Sequence, residues 1–332
     1  MQKLVSISEM QKFYFGGKII CTDGEGGTLT DLIFDPATRR LTALGVKQGR
    51  FFGKTVYLPF AKVVKASGDG ITVDMKRDDV ASAEHTPPGG TQLSGKSEVV
   101  RTGGNKGSLR MVAVHPDSGQ LAYVVARNLQ QGQDTLIRNE YVSGIAENQI
   151  TLSLSDESLN KLPPYRPDDE LQQDVESVLF DLTPMHIDMK GIRVRVLDGV
   201  LYLDGNISSA LRADIAQDQV LGVPGILEIK NNLVADDRLA ADLAMALAQD
   251  QRTRELPIGV YPRLGVVRLS GAVHNAQQKA AAEEIVRKFP GVQGVENYLV
   301  IDPKAEMLHV MAPPEGGESE DLVPGKYIRH TQ

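Results

Sequence analysis

The 332-residue chain contains no tryptophan, and aromatic residues make up only 5% of it. It therefore lacks the broad stacking platforms on which proteins lay bases or sugar rings. Cysteine occurs once, at Cys21, which excludes an intramolecular disulfide and a thiolate metal cluster within one chain. No apolar run approaches the roughly eighteen residues of a membrane-spanning helix. The stretch from Met1 to Met10 has no signal-peptide core. These absences predict a protein of a reducing, aqueous compartment: cytoplasmic, with peripheral contact at the inner face of a membrane as the variant reading.

Charge of one sign is scarce only locally. The net charge is −7, yet residues 1–162 carry 19 Lys+Arg against 17 Asp+Glu, and residues 163–332 carry 17 against 26. The front half is near neutral and the back half acidic. Binding to duplex nucleic acid rests on a basic surface that displaces counterions, so nucleic acid is a disfavoured partner.

Glycine (32) and proline (17) are plentiful, as many short strands and turns require. The chain also repeats itself. In the front half, Gly27-Thr28-Leu29-Thr30-Asp31-Leu32-Ile33-Phe34-Asp35-Pro36 aligns with Gly107-Ser108-Leu109-Arg110-Met111-Val112-Ala113-Val114-His115-Pro116, a register of 80 residues. After a one-residue gap, Val63, Ile71 and Thr72 fall on Val142, Ile150 and Thr151. Each copy alternates β-rich runs with turns, the pattern of a small barrel.

The back half repeats with a constant offset of 66 residues: Gly199-Val200 on Gly265-Val266, Leu203 on Leu269, Gly205 on Gly271, Pro224-Gly225 on Pro290-Gly291, and Asn231 on Asn297. Leu171, Val175, Val178, Leu179 and Leu182 recur at helical spacing, as do Leu239, Leu243, Ala246 and Leu247, where Asp236 and Asp237 are expected N-caps. Two strands follow, with Leu201 and Leu203 (then Val267 and Leu269) on one face and Tyr202 (then Arg268) on the other. A helix carrying Ala216, Val220 and Val223, or Ala282, Val286 and Phe289, ends at Pro-Gly. A last strand, 226–234 or 292–301, completes an α-β-β-α-β unit. The expected organisation is a barrel-like unit over 1–78, a linker over 79–92, a second and divergent barrel-like unit over 93–155, a Pro-rich linker over 156–167, α+β units over 168–235 and 236–303, and a flexible tail over 304–332.

Asp198-Gly199-Val200-Leu201-Tyr202-Leu203-Asp204-Gly205 with Val223-Pro224-Gly225-Ile226, and Leu264-Gly265-Val266-Val267-Arg268-Leu269-Ser270-Gly271 with Pro290-Gly291-Val292, resemble BON domains. The resemblance implies a phospholipid-binding or interaction module without catalytic residues. Gly27–Thr38 followed by Leu58-Pro59-Phe60-Ala61-Lys62-Val63 is similar to a PRC-barrel, and implies an adaptor that docks on proteins or membrane complexes. In the second copy Arg138-Asn139-Glu140-Tyr141-Val142 replaces the Leu-Pro-Phe-Ala-Lys-Val segment.

Several motifs resemble chemistry they do not support. Gly90-Thr91-Gln92-Leu93-Ser94-Gly95-Lys96-Ser97 satisfies a phosphate-loop pattern, but it follows Pro87-Pro88-Gly89 rather than a buried strand and precedes a β-rich run rather than a helix. The six histidines, His85, His115, His186, His274, His309 and His330, are scattered without ligand spacing. Asp23, Glu25 and Asp31 lack the spacing of a calcium loop, and no base is identified beside Cys21. Catalytic residues, cofactors and metals are therefore expected to be absent.

The remaining candidates are arginines. Arg193 and Arg195 share one face of a strand, with Arg252, Arg254, Arg263 and Arg268 in the corresponding part of the second unit. The candidate interaction face is Arg193, Arg195, Tyr202, Arg263 and Arg268, facing carboxylates or phosphates. The expected fold is multidomain, two all-β PRC-type barrels and then two α+β BON-type domains. The expected function is a non-catalytic adaptor or scaffold that binds protein partners or self-assembles through its edges and repeated modules. The alternatives are a peripheral phospholipid-binding stress protein acting through the back half and an RNA- or ribosome-associated factor acting through the front half.

Overall fold

A computed structural model describes residues 5–304 apart from 50–52, 102–103, 105, 131 and 183–184. The tail expected over 304–332 lies, beyond Lys304, outside the described residues. The chain divides into two compact units. The first contains Met1–Asp181 with Val194–Leu203 and Gln217–Asn231; the second contains Leu182–Arg193, Asp204–Ala216 and Asn232–Gln332. The division runs through the strands of the first α+β domain.

The first unit opens with β1 (Gln11–Tyr14), β2 (Lys18–Cys21), β3 (Gly24–Asp35), β4 (Arg40–Lys47), β5 (Thr55–Pro59), β6 (Val63–Ser67), β7 (Gly70–Val73) and α1 (Arg77–Ala81). It continues through β8 (Thr91–Ser94), β9 (Glu98–Arg101), β10 (Lys106–Val114), β11 (Leu121–Gln130), β12 (Gln133–Arg138), β13 (Val142–Ala146), β14 (Gln149–Leu152), α2 (Asp156–Asn160) and β15 (Pro164–Tyr165). One sheet has the order β5-β4-β3-β2-β7-β6, and the other repeats it as β12-β11-β10-β9-β14-β13.

The two sheets exchange strands. β1 precedes the first sheet in the chain but pairs with β10 of the second, Gln11 opposite Val114. β8 precedes the second sheet but pairs with β3 of the first, Thr91 opposite Phe34. The two pairings are the same pairing displaced by 80 residues, so the exchange is reciprocal. Long, irregular strands make it possible. β3 has register shifts at Leu29/Asp31 and Ile33/Phe34, and β10 has them at the equivalent Leu109/Met111 and Ala113/Val114. Such bulges bend a strand, and beyond the first one β3 leaves β2 for β8 as β10 leaves β9 for β1.

One core results. Phe13, Phe34, Leu93, Val112 and Val124 are fully buried in a single apolar cluster spanning both sheets. Phe13 packs edge-on against Phe60 at 6.4 Å between ring centroids, so β1 completes the second ladder with its backbone and contacts the first repeat with its side chain.

This exchange changes the expected boundaries. Within 79–92, expected as a linker, Val80 is fully buried in α1 and Thr91–Gln92 begins β8. Within 156–167, α2 buries Leu159 and β15 adds Tyr165 to the second sheet beside Asp134. Proline content marked these stretches as linkers; burial of one or two apolar side chains in each outweighs it.

The α+β region contains α3 (Asp168–Asp181), β16 (Ile192–Leu197), β17 (Val200–Ile207), α4 (Ala210–Val220) and β18 (Glu228–Ala235), in the sheet order β16-β17-β18. It repeats as α5 (Asp236–Gln249), β19 (Ile258–Arg263), β20 (Val266–Val273), α6 (Ala276–Arg287), β21 (Gly294–Asn297) and β22 (Val300–Ile301), ordered β19-β20-β21 with β22 also on β20. The expected continuous last strand of the second copy is split, because Tyr298 N bonds back to Leu269 O between the two segments. The helical stripes bury Leu171, Val175 and Leu179 in α3, and Leu239, Leu243 and Leu247 in α5.

Two glycines make the repeat sterically possible. Gly205 and Gly271 have φ of +110° and +111°, and an added Cβ would lie 2.0 Å from Gly191 O and from Pro257 O respectively. No other residue accommodates both the dihedral and the contact.

Candidate functional site

In the first unit, β16 and β17 join at a turn whose corner is Asp198, a non-glycine residue at φ +54°. The turn is held by Asp168 at the start of α3, whose carboxylate accepts from Asp198 N and Gly199 N at 2.8 Å each. The second copy uses the same device. Asp236 accepts from Leu264 N at 2.6 Å and Gly265 N at 3.1 Å, with Leu264 at φ +47°. This corrects the N-cap expectation for Asp236 and Asp237: Ala235 is the N-cap residue of α5. Asp236 caps the neighbouring turn, and Asp237 accepts from Ala210 N at 3.1 Å.

What differs between the copies is the corner side chain. Leu264 is apolar, whereas Asp198 is a carboxylate with 1% exposure. Asp198 Oδ1 accepts from the Tyr14 hydroxyl at 2.8 Å and from Gly68 N at 2.9 Å. The Tyr14 hydroxyl is in turn hydrogen-bonded to that of Tyr165. Asp198 Oδ2 lies 3.7 Å from Lys12 Nζ, also buried, and has no hydrogen-bond donor of its own. Burial is the dominant influence on both ionisable groups, raising the Asp198 carboxyl above its ordinary range and lowering the Lys12 ammonium below its own. Burial likewise raises Tyr14 and Tyr165. Lys12, Tyr14, Tyr165 and Asp198 thus join the first turn of the α+β region to both repeats of the front half.

Above this pair opens a cleft of about 130 Å³, lined by Lys12, Lys65, Ser67, Arg195, Asp198 and Tyr202 among others. Two members of the expected interaction face are here, with the Arg195 guanidinium 4.5 Å above the centre of the Tyr202 ring. Exposed Arg and Tyr in cation–π contact form an amphipathic pair suited to docking.

In the second unit, the outward side chains of β19 and β20 lie on the face opposite the helices. Tyr261 is the ladder partner of Arg268, and Arg263 that of Val266. Arg268 lies 4.9 Å from the centre of the Tyr298 ring, and its Nε has no hydrogen-bond partner. Tyr261 and Tyr298 are 52% and 57% exposed, large values for aromatic rings. Arg263 and Arg193 are exposed on their strands. Arg252 belongs elsewhere, bonded to Asp250 at 2.8 Å and Glu284 at 3.0 Å. The alternation of β residues foretold Arg268 on an outward face; Tyr298 escaped notice because it follows β21 at the strand break.

The other chemical candidates do not converge. Residues 90–97 form strand, turn and strand, with Lys96 exposed and the Ser97 hydroxyl donated upon by Ser94 N at 2.8 Å. Cys21 is buried, which raises its thiol pKa. Asp23 pairs with Arg77, Glu25 with Lys18, and Asp31 accepts from the Thr30 hydroxyl. His115 Nδ1 accepts from Asp117 N within its own turn; His309 and His330 lie outside the described residues. Among the described residues no group of three or more metal-ligating side chains converges, and no helix is long and apolar enough to cross a membrane.

Comparison with family models matches a PRC-barrel domain over residues 17–80 and a BON domain twice, over 167–236 and 235–303. The chain is 26% identical over 159 residues to the osmotically-inducible protein Y of Escherichia coli (strain K12), an alignment covering 43% of this chain and 77% of that protein. Among solved structures it is similar to the C-terminal domain of a structural protein of the type III secretion system of Chlamydia trachomatis, with TM-score 0.36, 19% identity, and 42% and 68% of the two chains covered. A second structure of that protein gives TM-score 0.33 at 18% identity over 40% of this chain, which spans 61% of the other. The chain thus carries a PRC-barrel domain followed by two BON domains.

Proposed function

We propose that the protein is a non-catalytic adaptor that binds protein partners or itself through its repeated domains. The observation that carries this reading is the duplicated sheet face on which an arginine stacks on an exposed tyrosine, Arg195 with Tyr202 and Arg268 with Tyr298. Tyrosine and arginine are the residue types enriched at interaction hot spots. Weak contacts at two such faces on one chain reinforce each other through effective concentration. We assign residues 93–155 to a second, divergent PRC barrel on the strength of its matching strand order, and place the protein in the cytoplasm.

The full chain is tested by light scattering over a concentration series, alongside a variant with Arg195→Glu and Arg268→Glu. Concentration-dependent mass increase that the variant loses supports self-assembly. A second reading, peripheral attachment to phospholipid, draws on the exposed cations Arg193, Arg195 and Lys65. If the chain stays monomeric at every concentration and instead sediments with anionic vesicles in a salt-sensitive manner, the lipid reading replaces the adaptor.

A further inference from the structure

The two BON domains repeat a docking end as well as a fold. In the second unit, the end of the first BON domain formed by Gly191, Asn206 and Val234 receives the second. Asn206 Nδ2 donates to Gly291 O at 2.8 Å. A Cβ added to Gly265 would lie 2.6 Å from the Asn206 amide, and one added to Gly291 would lie 2.7 Å from Val234. Glycine at both positions is thus the condition for this close approach.

The same end exists on the second BON domain, built by the residues 66 positions later: Pro257, Ala272 and Val300. The bond from Ala272 N to Pro257 O at 3.1 Å repeats that from Asn206 N to Gly191 O at 3.0 Å. Yet where Val234 is partly buried and Ala235 is 4% exposed, their counterparts Val300 and Ile301 are 63% and 49% exposed, beside Tyr298 at 57%. Stacked repeats leave such an apolar end at their terminus unless a cap covers it.

We propose that the segment 305–312 of this chain, Ala305-Glu306-Met307-Leu308-His309-Val310-Met311-Ala312, is that cap. Three observations identify it over other occupants. It begins four residues after Ile301, at the uncovered end itself. Six residues of extended chain reach about 20 Å, far more than the distance to a neighbouring strand. Four of its eight residues, Met307, Leu308, Val310 and Met311, are large and apolar. In the first BON domain, moreover, the chain leaving the equivalent strand also supplies what covers this end, namely the second BON domain. The acidic run Glu315–Asp321 beyond Pro313-Pro314 remains outside the cap, and displacing the cap would free an apolar docking end for a partner.

The test uses the full chain with Val300→Cys and follows its reaction with a water-soluble thiol reagent. Native Cys21, 5% exposed, supplies the slow background. Adding Leu308→Asp, Val310→Asp and Met311→Asp should speed the reaction at position 300 by about tenfold, the protection expected of a locally opening contact. The same additions should leave a Val64→Cys reference, 60% exposed in the wild type, unchanged. Equal rates at position 300 with and without the tail substitutions would overturn the proposal. So would protection that rises with protein concentration and ignores the substitutions, which would identify a second copy as the occupant.

Discussion

Replacing Asp198 by asparagine should destabilise the first unit by about 3 kcal/mol, although the amide fits the same space. Asparagine tolerates the left-handed backbone of this corner, and its carbonyl can accept from Tyr14 and Gly68 as the carboxylate does. The loss comes from Lys12, left buried and charged with its counterion gone, and breaking a buried pair by removing one partner costs about 3–5 kcal/mol. Lys12→Met strands the carboxylate and should cost a similar amount. The pair as a whole, however, is weakly favourable at best: burial outweighs mutual attraction in shifting both groups away from their charged forms. The double variant Lys12→Met with Asp198→Asn should therefore come within about 1 kcal/mol of the wild type, a coupling of several kcal/mol. Urea titrations followed by circular dichroism, compared at equal slope, measure it. Additive single effects, or singles costing less than about 1 kcal/mol, would refute the reading of Lys12 and Asp198 as a desolvated, mutually dependent pair.

The same carboxyl predicts a pH dependence. A raised folded-state pKa contributes stability below the unfolded value, near 3.8, that is lost as pH rises through the folded value. Lys12→Met should accordingly lose stability relative to the double variant as pH is raised from about 4 to 7, and parallel curves would contradict this. Gly271→Ala and Gly205→Ala should each cost at least about 2 kcal/mol, from the positive φ and the backbone oxygen 2.0 Å from the new methyl. Gly144→Ala, with open space around it, should shift the melting temperature little. Phe13→Ala should cost about 3–5 kcal/mol and, because β1 serves both repeats, should speed hydrogen exchange in the cores of both front sheets. Confinement of that effect to β10 and its neighbours would argue against a shared core.

Much of the fold was legible because it rests on local periodicity. Leu171, Val175 and Leu179 make a helical stripe wherever the helix packs, and Leu201 alternating with Tyr202 separates a core face from an outward one in any sheet. The 66-residue repeat survived because Gly205 and Gly271 each meet a backbone oxygen that permits no side chain. For the candidate site the alternation sufficed to place Arg195, Tyr202 and Arg268 outward, which is why those expectations could be stated by residue.

Partnership between distant segments was a different matter. Nothing in the four residues Gln11–Tyr14 says which of two similar ladders they join, since backbone hydrogen bonds are the same in both; the bulges of β3 and β10 and the burial of Phe13 and Leu93 decide the exchange. Asp198 and Lys12 are anonymous charges in the sequence, and become a pair only because a turn held by Asp168 carries one beneath the other, away from water. Asp236 had the right residue type for a helix cap, but its carboxylate found two turn amides in the neighbouring hairpin. Short-range pattern determined the elements and their buried faces; three-dimensional proximity, through desolvation and competition for hydrogen-bond donors, determined which of them meet.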